Sequence, residues 1–278
     1  MIVEPARRDD FLALMQETYG EAMTPAEFDW WFDRNPAGPR ILNEAREEDG
    51  TPLGALAMSF ARMSGGLAAF AVHAVTTPAA RGRGVFSALE LHNEQEAAEA
   101  GATWALGFTN PIAGPILVGK LGWEDVTTLR VWVRPKRLRW RGDGRLRGEP
   151  GVGKLETRTY RAHHILRDAD YLRWRYAESP REYAQIGDVV VRHAKWQGYS
   201  SAVVCEHGRD LRRAVAAVEA DIAAAMVNPG EEPRFLAAGF LPTPRTIRFI
   251  GKRLTADAPE LPKQRDAWHF TLGDLDFF

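Results

Sequence analysis

Val75-Thr76-Thr77-Pro78-Ala79-Ala80-Arg81-Gly82-Arg83-Gly84-Val85-Phe86 is the stretch of this 278-residue chain that decides how the rest is read. The residues before it, 67–75, form an apolar run that predicts a buried strand, and those after it, 85–100, carry a helical pattern. Between them lie Arg81, Gly82, Arg83 and Gly84. A strand, a glycine-rich turn and a helix start make a seat for phosphate. The N–H groups of the first helical turn lack partners inside the helix, the helix dipole favours negative charge, and glycine lets the backbone come close. Arg81 and Arg83 add charge-assisted contacts suited to a pyrophosphate. No Lys-Ser/Thr pair follows the glycines, which excludes a Walker loop, and the third glycine of a dinucleotide-binding fingerprint is missing. A basic surface turn fits the same residues, and the next segment separates the two.

Gly101 closes the helix as a C-cap would, and Thr103-Trp104-Ala105-Leu106-Gly107-Phe108-Thr109 reads as another strand. Asn110-Pro111 breaks it, a short helical stretch follows, and Lys120-Leu121-Gly122-Trp123 ends that stretch. The two motifs, in this order and spacing, resemble the GNAT (GCN5-related) N-acetyltransferase superfamily. Its acyl-CoA signature is Q/R-x-x-G-x-G/A: Arg81 fills the first position and Gly84 the fourth, while Phe86 departs from the Gly or Ala of the sixth. The resemblance covers residues 1–135. It implies an α/β fold, a mixed central β-sheet flanked by helices, with acetyl-CoA as acyl donor and no metal. The donor-binding residues it implies are Val75, Thr77, Arg81, Gly82, Arg83, Gly84, Val85, Phe86 and Asn110. In the family, strand backbone near Val75 pairs with the pantetheine arm and holds the thioester in a splayed gap between strands.

Composition agrees with an enzyme of this kind. The length suits one large or two ordinary domains. A net charge of −1 with well-mixed charges gives no field for nucleic acid. The single Cys205 excludes an internal disulfide and a cysteine-based metal cluster. Neither a signal-peptide pattern nor a run as long as a membrane span is visible, so the expected location is cytoplasmic.

Two parts of the chain echo each other. Trp30-Trp31-Phe32-Asp33-Arg34-Asn35-Pro36 matches Trp174-Arg175-Tyr176-Ala177-Glu178-Ser179-Pro180, and Asn110-Pro111 with Gly122-Trp123 match Asn228-Pro229 with Gly239-Phe240. The reading is two related α/β units in tandem: an acyl-CoA-binding domain at 1–135, a basic linker at 136–154, and a degenerate second copy with a C-terminal tail at 155–278. Where the second copy would carry its phosphate loop stands Glu206-His207-Gly208-Arg209-Asp210, with one glycine and flanking carboxylates, so it is expected to have lost CoA binding. Pairing of the repeats within one chain is compatible with a monomer. Thr24, Pro25 and Glu27 mark a helix start, and Asp49-Gly50 marks a hairpin turn. The aromatic clusters at 30–32 and 174–176 are expected in the core.

Acyl transfer to an amine needs a polarised carbonyl, a base for the amine and help for the leaving thiolate. The family's acid is a Tyr on the short helix after the Asn, but Leu117 and Val118 occupy the matching positions here. His73 is a candidate base or acid, with a packed, structural histidine as the competing reading. The apolar tail, Trp268 to Phe278, is expected to dock on the body, with the groove between the units one place for it. Asp274, Asp276 or the terminal carboxylate of Phe278 would then be candidate bases. N-myristoyltransferases, tandem proteins of this fold with a C-terminal carboxylate as base, offer the analogy. The leading expectation is an acyl-CoA-dependent N-acyltransferase acting on a small-molecule amine. A non-catalytic CoA-binding module and a peptidoglycan-type aminoacyl transferase are the alternatives.

Overall fold

The computed structural model describes residues 1–20, 23–136, 152–153, 155–196 and 198–275. These residues form two compact units that are not consecutive in the chain: Met1–Val126 with Phe249–Pro262, and Thr127–Arg248 with Lys263–Phe278. The division differs from a single boundary near residue 135, because 249–262 folds with the first unit and 127–135 with the second. The basic stretch 136–154 lies for the most part outside the described residues.

In the first unit, β1 (Ile2–Pro5), β2 (Ile41–Arg46), β3 (Pro52–Met63), β4 (Gly66–Thr76) and β5 (Trp104–Thr109) are neighbours in that order. The end of β11 (Leu241–Arg253) lies beside β5. The sheet is mixed: β1 to β4 pair antiparallel, whereas β4 and β5 run parallel across the helical crossover α3 (Val85–Glu99). The other helices are α1 (Arg8–Tyr19), α2 (Pro25–Phe28) and α4 (Ala113–Lys120). Thr24 and Glu27 form the expected reciprocal cap of α2, the Thr24 hydroxyl accepting from Glu27 N at 3.2 Å and Glu27 accepting from Thr24 N at 3.1 Å. A π-helical turn, Asp29–Asp33, continues α2 and buries Trp30, Trp31 and Phe32. The Asp49-Gly50 turn joins β2 to β3, with Gly50 at φ 87°.

One face of α3 sets the core. Leu89 and Ala97 enter one core cluster with Leu56 and Phe60, while Asn93 donates to Leu56 O at 3.0 Å. Glu94, also buried, accepts from Trp123 Nε1 at 2.6 Å and pairs with Lys252, so it fastens the segment after α4 and the end of β11 to the helix. One turn earlier, Glu90 is wholly buried and neither oxygen has a hydrogen-bond partner. Burial, reinforced by the charge of Glu94 and partly offset by Lys252, pushes its carboxyl up to about 8.

The second unit holds β6 (Glu124–Pro135) from Thr127 on, β7 (Tyr183–Ile186), β8 (Val189–Trp196), β9 (Tyr199–Glu206) and β10 (Ile222–Met226), in the order β11-β6-β10-β9-β8-β7. Its helices are α5 (Ala169–Leu172), α6 (Leu211–Ala217) and α7 (Glu232–Ala237). A second π-helical turn, Arg173–Ala177, follows α5 as the first follows α2, and a buried Trp is the second residue of both. Along the chain the succession from α5 to β11 repeats that from α2 to β6: short helix, π turn, three antiparallel strands, helix, parallel strand, helix, final strand. Val191, Val204, Leu211, Val215, Phe235 and Phe240 anchor an apolar core. Among the described residues no helix is long and apolar enough to cross a membrane.

Candidate functional site

The parallel pairing of β4 with β5 is short. It covers Ala68, Ala69 and Phe70 opposite Trp104, Ala105 and Leu106, yet β4 runs on to Thr76 and β5 to Thr109. Where the pairing stops, β4 carries a bulge: Leu56 faces Ala74 and Ala57 faces Val72, so His73 is an extra residue. His73 has φ 43°, a left-handed backbone seen at no other described non-glycine residue. Its half-buried ring stands edge-on to Phe32, centroids 6.1 Å apart.

Beyond the bulge the ladder fixes which groups face outward. Thr77 N donates to Leu53 O, so Thr77 and Val75 form the hydrogen-bonded positions against β3. Val75 therefore turns its polar groups to Ala55 and buries its side chain; it cannot itself present a pairing edge. Ala74 and Thr76 do so, their N–H and C=O directed away from β3. One further group reaches that edge: the Tyr19 hydroxyl, at the end of α1, donates to Ala74 O at 3.2 Å. The sequence reading missed Tyr19, since a contact across 55 residues leaves no local signal.

The loop after β4 behaves as its glycines require. A 3₁₀ turn, Pro78–Ala80, leads to Gly82 and Gly84 at φ 79° and 81°. A Cβ at either would meet nothing within 4 Å, so conformation rather than space demands glycine. Gly84 is the N-cap of α3 and has no side chain with which to satisfy the first-turn N–H groups. Arg81 is exposed, but Arg83 is committed to Glu47 in an ion pair. Phe86 points into the packing, half-buried against the Leu56–Leu89 cluster and against Leu117, Leu121 and Trp123. Exposed Asn110 uses its side-chain oxygen to accept from Ile112 N and Ala113 N, both at 2.9 Å, which orients the start of α4. Leu117, on that helix, is buried.

The second unit repeats the strand geometry and fills it. Ser201, Ala202 and Val203 of β9 pair parallel with Ile222, Ala223 and Ala224 of β10, and Cys205 is an extra residue between Val204 and Glu206. The tail then closes the strand ends. Asn228, after β10, holds Phe270 by both backbone groups, and Gly273 packs so tightly on Cys205 that a Cβ would lie 2.6 Å from Cys205 O. Arg175, buried, donates to Gly273 O and Leu275 O. At the start of α6, Asp188 accepts from Arg209 N at 2.9 Å and Asp210 N at 3.1 Å, so a carboxylate of the chain occupies the N–H groups of that turn.

Asp274 is thereby corrected as a candidate base. It is buried, accepts two hydrogen bonds of 2.7 Å from Arg167 Nη2, and also accepts from Tyr171 Oη and Thr271 N. Burial raises its pKa, but Arg167, with the Thr271 N–H and the Tyr171 hydroxyl, more than offsets this and holds the carboxyl below its ordinary range. With Glu206 it is a counterion of Arg167, and it has no lone pair to spare for an amine proton. Asp276 and Phe278 lie outside the described residues. Nearby, His207, Glu231 and His269 bring possible metal-ligating atoms within 4.8 Å of one another. Arg234 Nη2 stands 2.8 Å from both His207 Nδ1 and Glu231 Oε1, so a guanidinium already fills the cation's place.

No family model matches this sequence, and no curated protein sequence matches it. Solved structures do match in shape. A GCN5-related N-acetyltransferase from Kribbella flavida is 17% identical, with 92% of this chain and 73% of that one aligned at a TM-score of 0.58. Eis1 from Mycobacterium abscessus is 14% identical over 91% and 74% of the two chains, at 0.54. A putative acetyltransferase from Pyrococcus horikoshii is 10% identical over 96% and 92%, at 0.55. Identities this low speak for architecture alone. The mixed sheet, its flanking helices and the parted parallel strands give this chain the fold of the GCN5-related N-acetyltransferases.

Proposed function

We propose that the first unit binds an acyl-CoA, acetyl-CoA as the simplest case, and transfers the acyl group to the amine of a small molecule. The observation that carries this reading is the run of β4 from a parted, outward-facing edge at Ala74 and Thr76 straight into the Gly82–Gly84 start of α3. An extended amide-bearing arm pairs with such an edge as a strand would, and its pyrophosphate meets the helix N-terminus. The proteins that share the fold and are described as acetyltransferases support the same assignment.

In this reading Arg81 and the first-turn N–H groups of α3 hold the pyrophosphate. Arg83, tied to Glu47, contributes less. The Ala74 N–H, just past the bulge, polarises the thioester carbonyl, and the bulge fixes that donor before the substrate arrives. His73 is the base within reach of the same stretch. The second unit binds no CoA.

Titration calorimetry with CoA tests the assignment: one site per chain is expected, and Gly84→Asp abolishes it. Asp strains the left-handed backbone and sets a carboxylate against the phosphates. Two equivalent sites, or none, would overturn the division between the units. A second reading, a CoA-binding module without chemistry, is favoured by one observation: α4 offers Leu117 and Val118 where the family has its tyrosine. Thiol release from acetyl-CoA in the presence of primary amines separates the two.

A further inference from the structure

Tyr19 is the only tyrosine in the first unit. It ends α1, and the end is fixed: Gly20 adopts φ 72°, its N–H donates to Gln16 O, and Gln16 Nε2 donates to Gly20 O at 3.0 Å. The ring is about half exposed, with 53% of its surface accessible, so the hydroxyl is open to a ligand while it rests on Ala74 O. Ala74 is the first residue after the bulge, on the outward edge of β4. A phenol is thus placed on this backbone edge by α1, whereas positions 117 and 118 of α4 are aliphatic.

We propose that Tyr19 is the proton donor to the leaving thiolate. This rests on the acyl-CoA reading of the first unit. The amine nitrogen attacks the thioester carbonyl carbon and a C–N bond forms. As the C–S bond breaks, its electron pair goes to sulfur, which takes the proton of Tyr19 Oη. The proton lost by the amine passes to His73 and from there to solvent, from which the tyrosinate is reprotonated. Atoms and charge balance without a further reactant. The carbonyl of Ala74 holds the hydroxyl in place between turnovers, so the donor is oriented before the thioester binds. His73, the bulged residue, is the other titratable side chain on this stretch.

The test uses the full chain, acetyl-CoA as donor and hydroxylamine as a surrogate amine, with thiol release as the readout. Tyr19→Phe removes one oxygen and is expected to melt with the wild type and to bind CoA with unchanged Kd. Its kcat should fall about a hundredfold, the usual contribution of a positioned acid. A fluorinated tyrosine incorporated at position 19 should restore turnover with the alkaline limb of the rate displaced to lower pH, which a purely structural hydroxyl would not do. Full turnover by Tyr19→Phe overturns the proposal, as does a fluorinated enzyme whose pH profile is unmoved. A wild type that binds CoA but releases no thiol also overturns it while leaving donor binding intact. A wild type that binds no CoA removes the acyl-CoA reading itself.

Discussion

Set side by side, the two units are built from the same succession of elements and treat the same opening differently. Both have a short parallel pairing that stops after three residue pairs, at Phe70 in one and Val203 in the other. Both carry a one-residue bulge just beyond it, at His73 and at Cys205. In the first unit the edge past the bulge faces outward and leads to glycines with open space around them. In the second unit the chain supplies its own occupants. Phe270 to Gly273 lie across the strand ends, and Asp188 sits on the N–H groups where a helix begins. The second opening has become a socket for the tail. Retaining the parted strands while filling them is a way to spend a binding geometry on stability.

The largest effect expected from this contrast is at Asp274. With Arg167 wholly buried against it, Asp274→Ala breaks a buried ion pair, leaving Glu206 as the remaining carboxylate beside the guanidinium, and should cost about 3–5 kcal/mol. Chemical denaturation of the variant measures this. Asp274→Asn with wild-type stability and lost thiol release would break the comparison, because the residue would then be catalytic rather than a rivet of the socket.

The strand–loop–helix frame was legible in the sequence because each piece has a local signature. The apolar run at 67–75, the helix from Val85, the capping box at Thr24 and the turn at Asp49-Gly50 all form as read. So does the inward turn of Phe86, since a large apolar ring at the second position of a helix has more to gain from packing than from solvent. The register was not legible. A left-handed φ at a histidine has no sequence mark, and without the bulge one cannot tell that Ala74 and Thr76, rather than Val75, present the edge. The sharing of β6 and β11 between the units was hidden for the same reason: strand partners are chosen across the fold. Nor does the sequence around Trp174 reveal that Arg175 is buried on the backbone of the tail, a role set by residues nearly a hundred positions later.

The crossover helices sharpen the comparison further. α6 buries Leu211, Ala214 and Val215, whereas α3 buries two carboxylates, Glu90 and Glu94. Glu90 keeps its proton in the fold up to about pH 8, against an ordinary value of 4.5. A raised folded pKa contributes stability that is complete below the unfolded value and is lost as pH rises through the folded one. Wild-type stability should therefore fall between about pH 4.5 and 8. Glu90→Gln removes that slope and should stabilise the protein at pH 8 by about 3 kcal/mol, less than the full linkage because the amide is also left without partners. Melts of both proteins at pH 5 and pH 8 decide it. Equal pH dependence in the two would mean that the helix of the open unit carries no such strain.

The smallest effect belongs to Asp188, and it probes the other half of the socket. Asp188→Ala removes the acceptor of the Arg209 and Asp210 N–H groups, a cap-like loss of about 1 kcal/mol at neutral pH. Partial burial raises the Asp188 pKa, but those two N–H groups and Arg158 outweigh it and hold the carboxyl below its ordinary 3.8. A depressed folded pKa gives stability that is present above the unfolded value and fades as pH falls through the folded one. The gap between wild type and variant should thus be full at pH 6 and close below about pH 4. CoA stoichiometry should stay at one, because an exposed turn alone does not make a donor site while Phe270 and Gly273 still cover the strand ends. A second CoA bound by Asp188→Ala would show that one carboxylate, and not the tail, is what separates the closed unit from the open one.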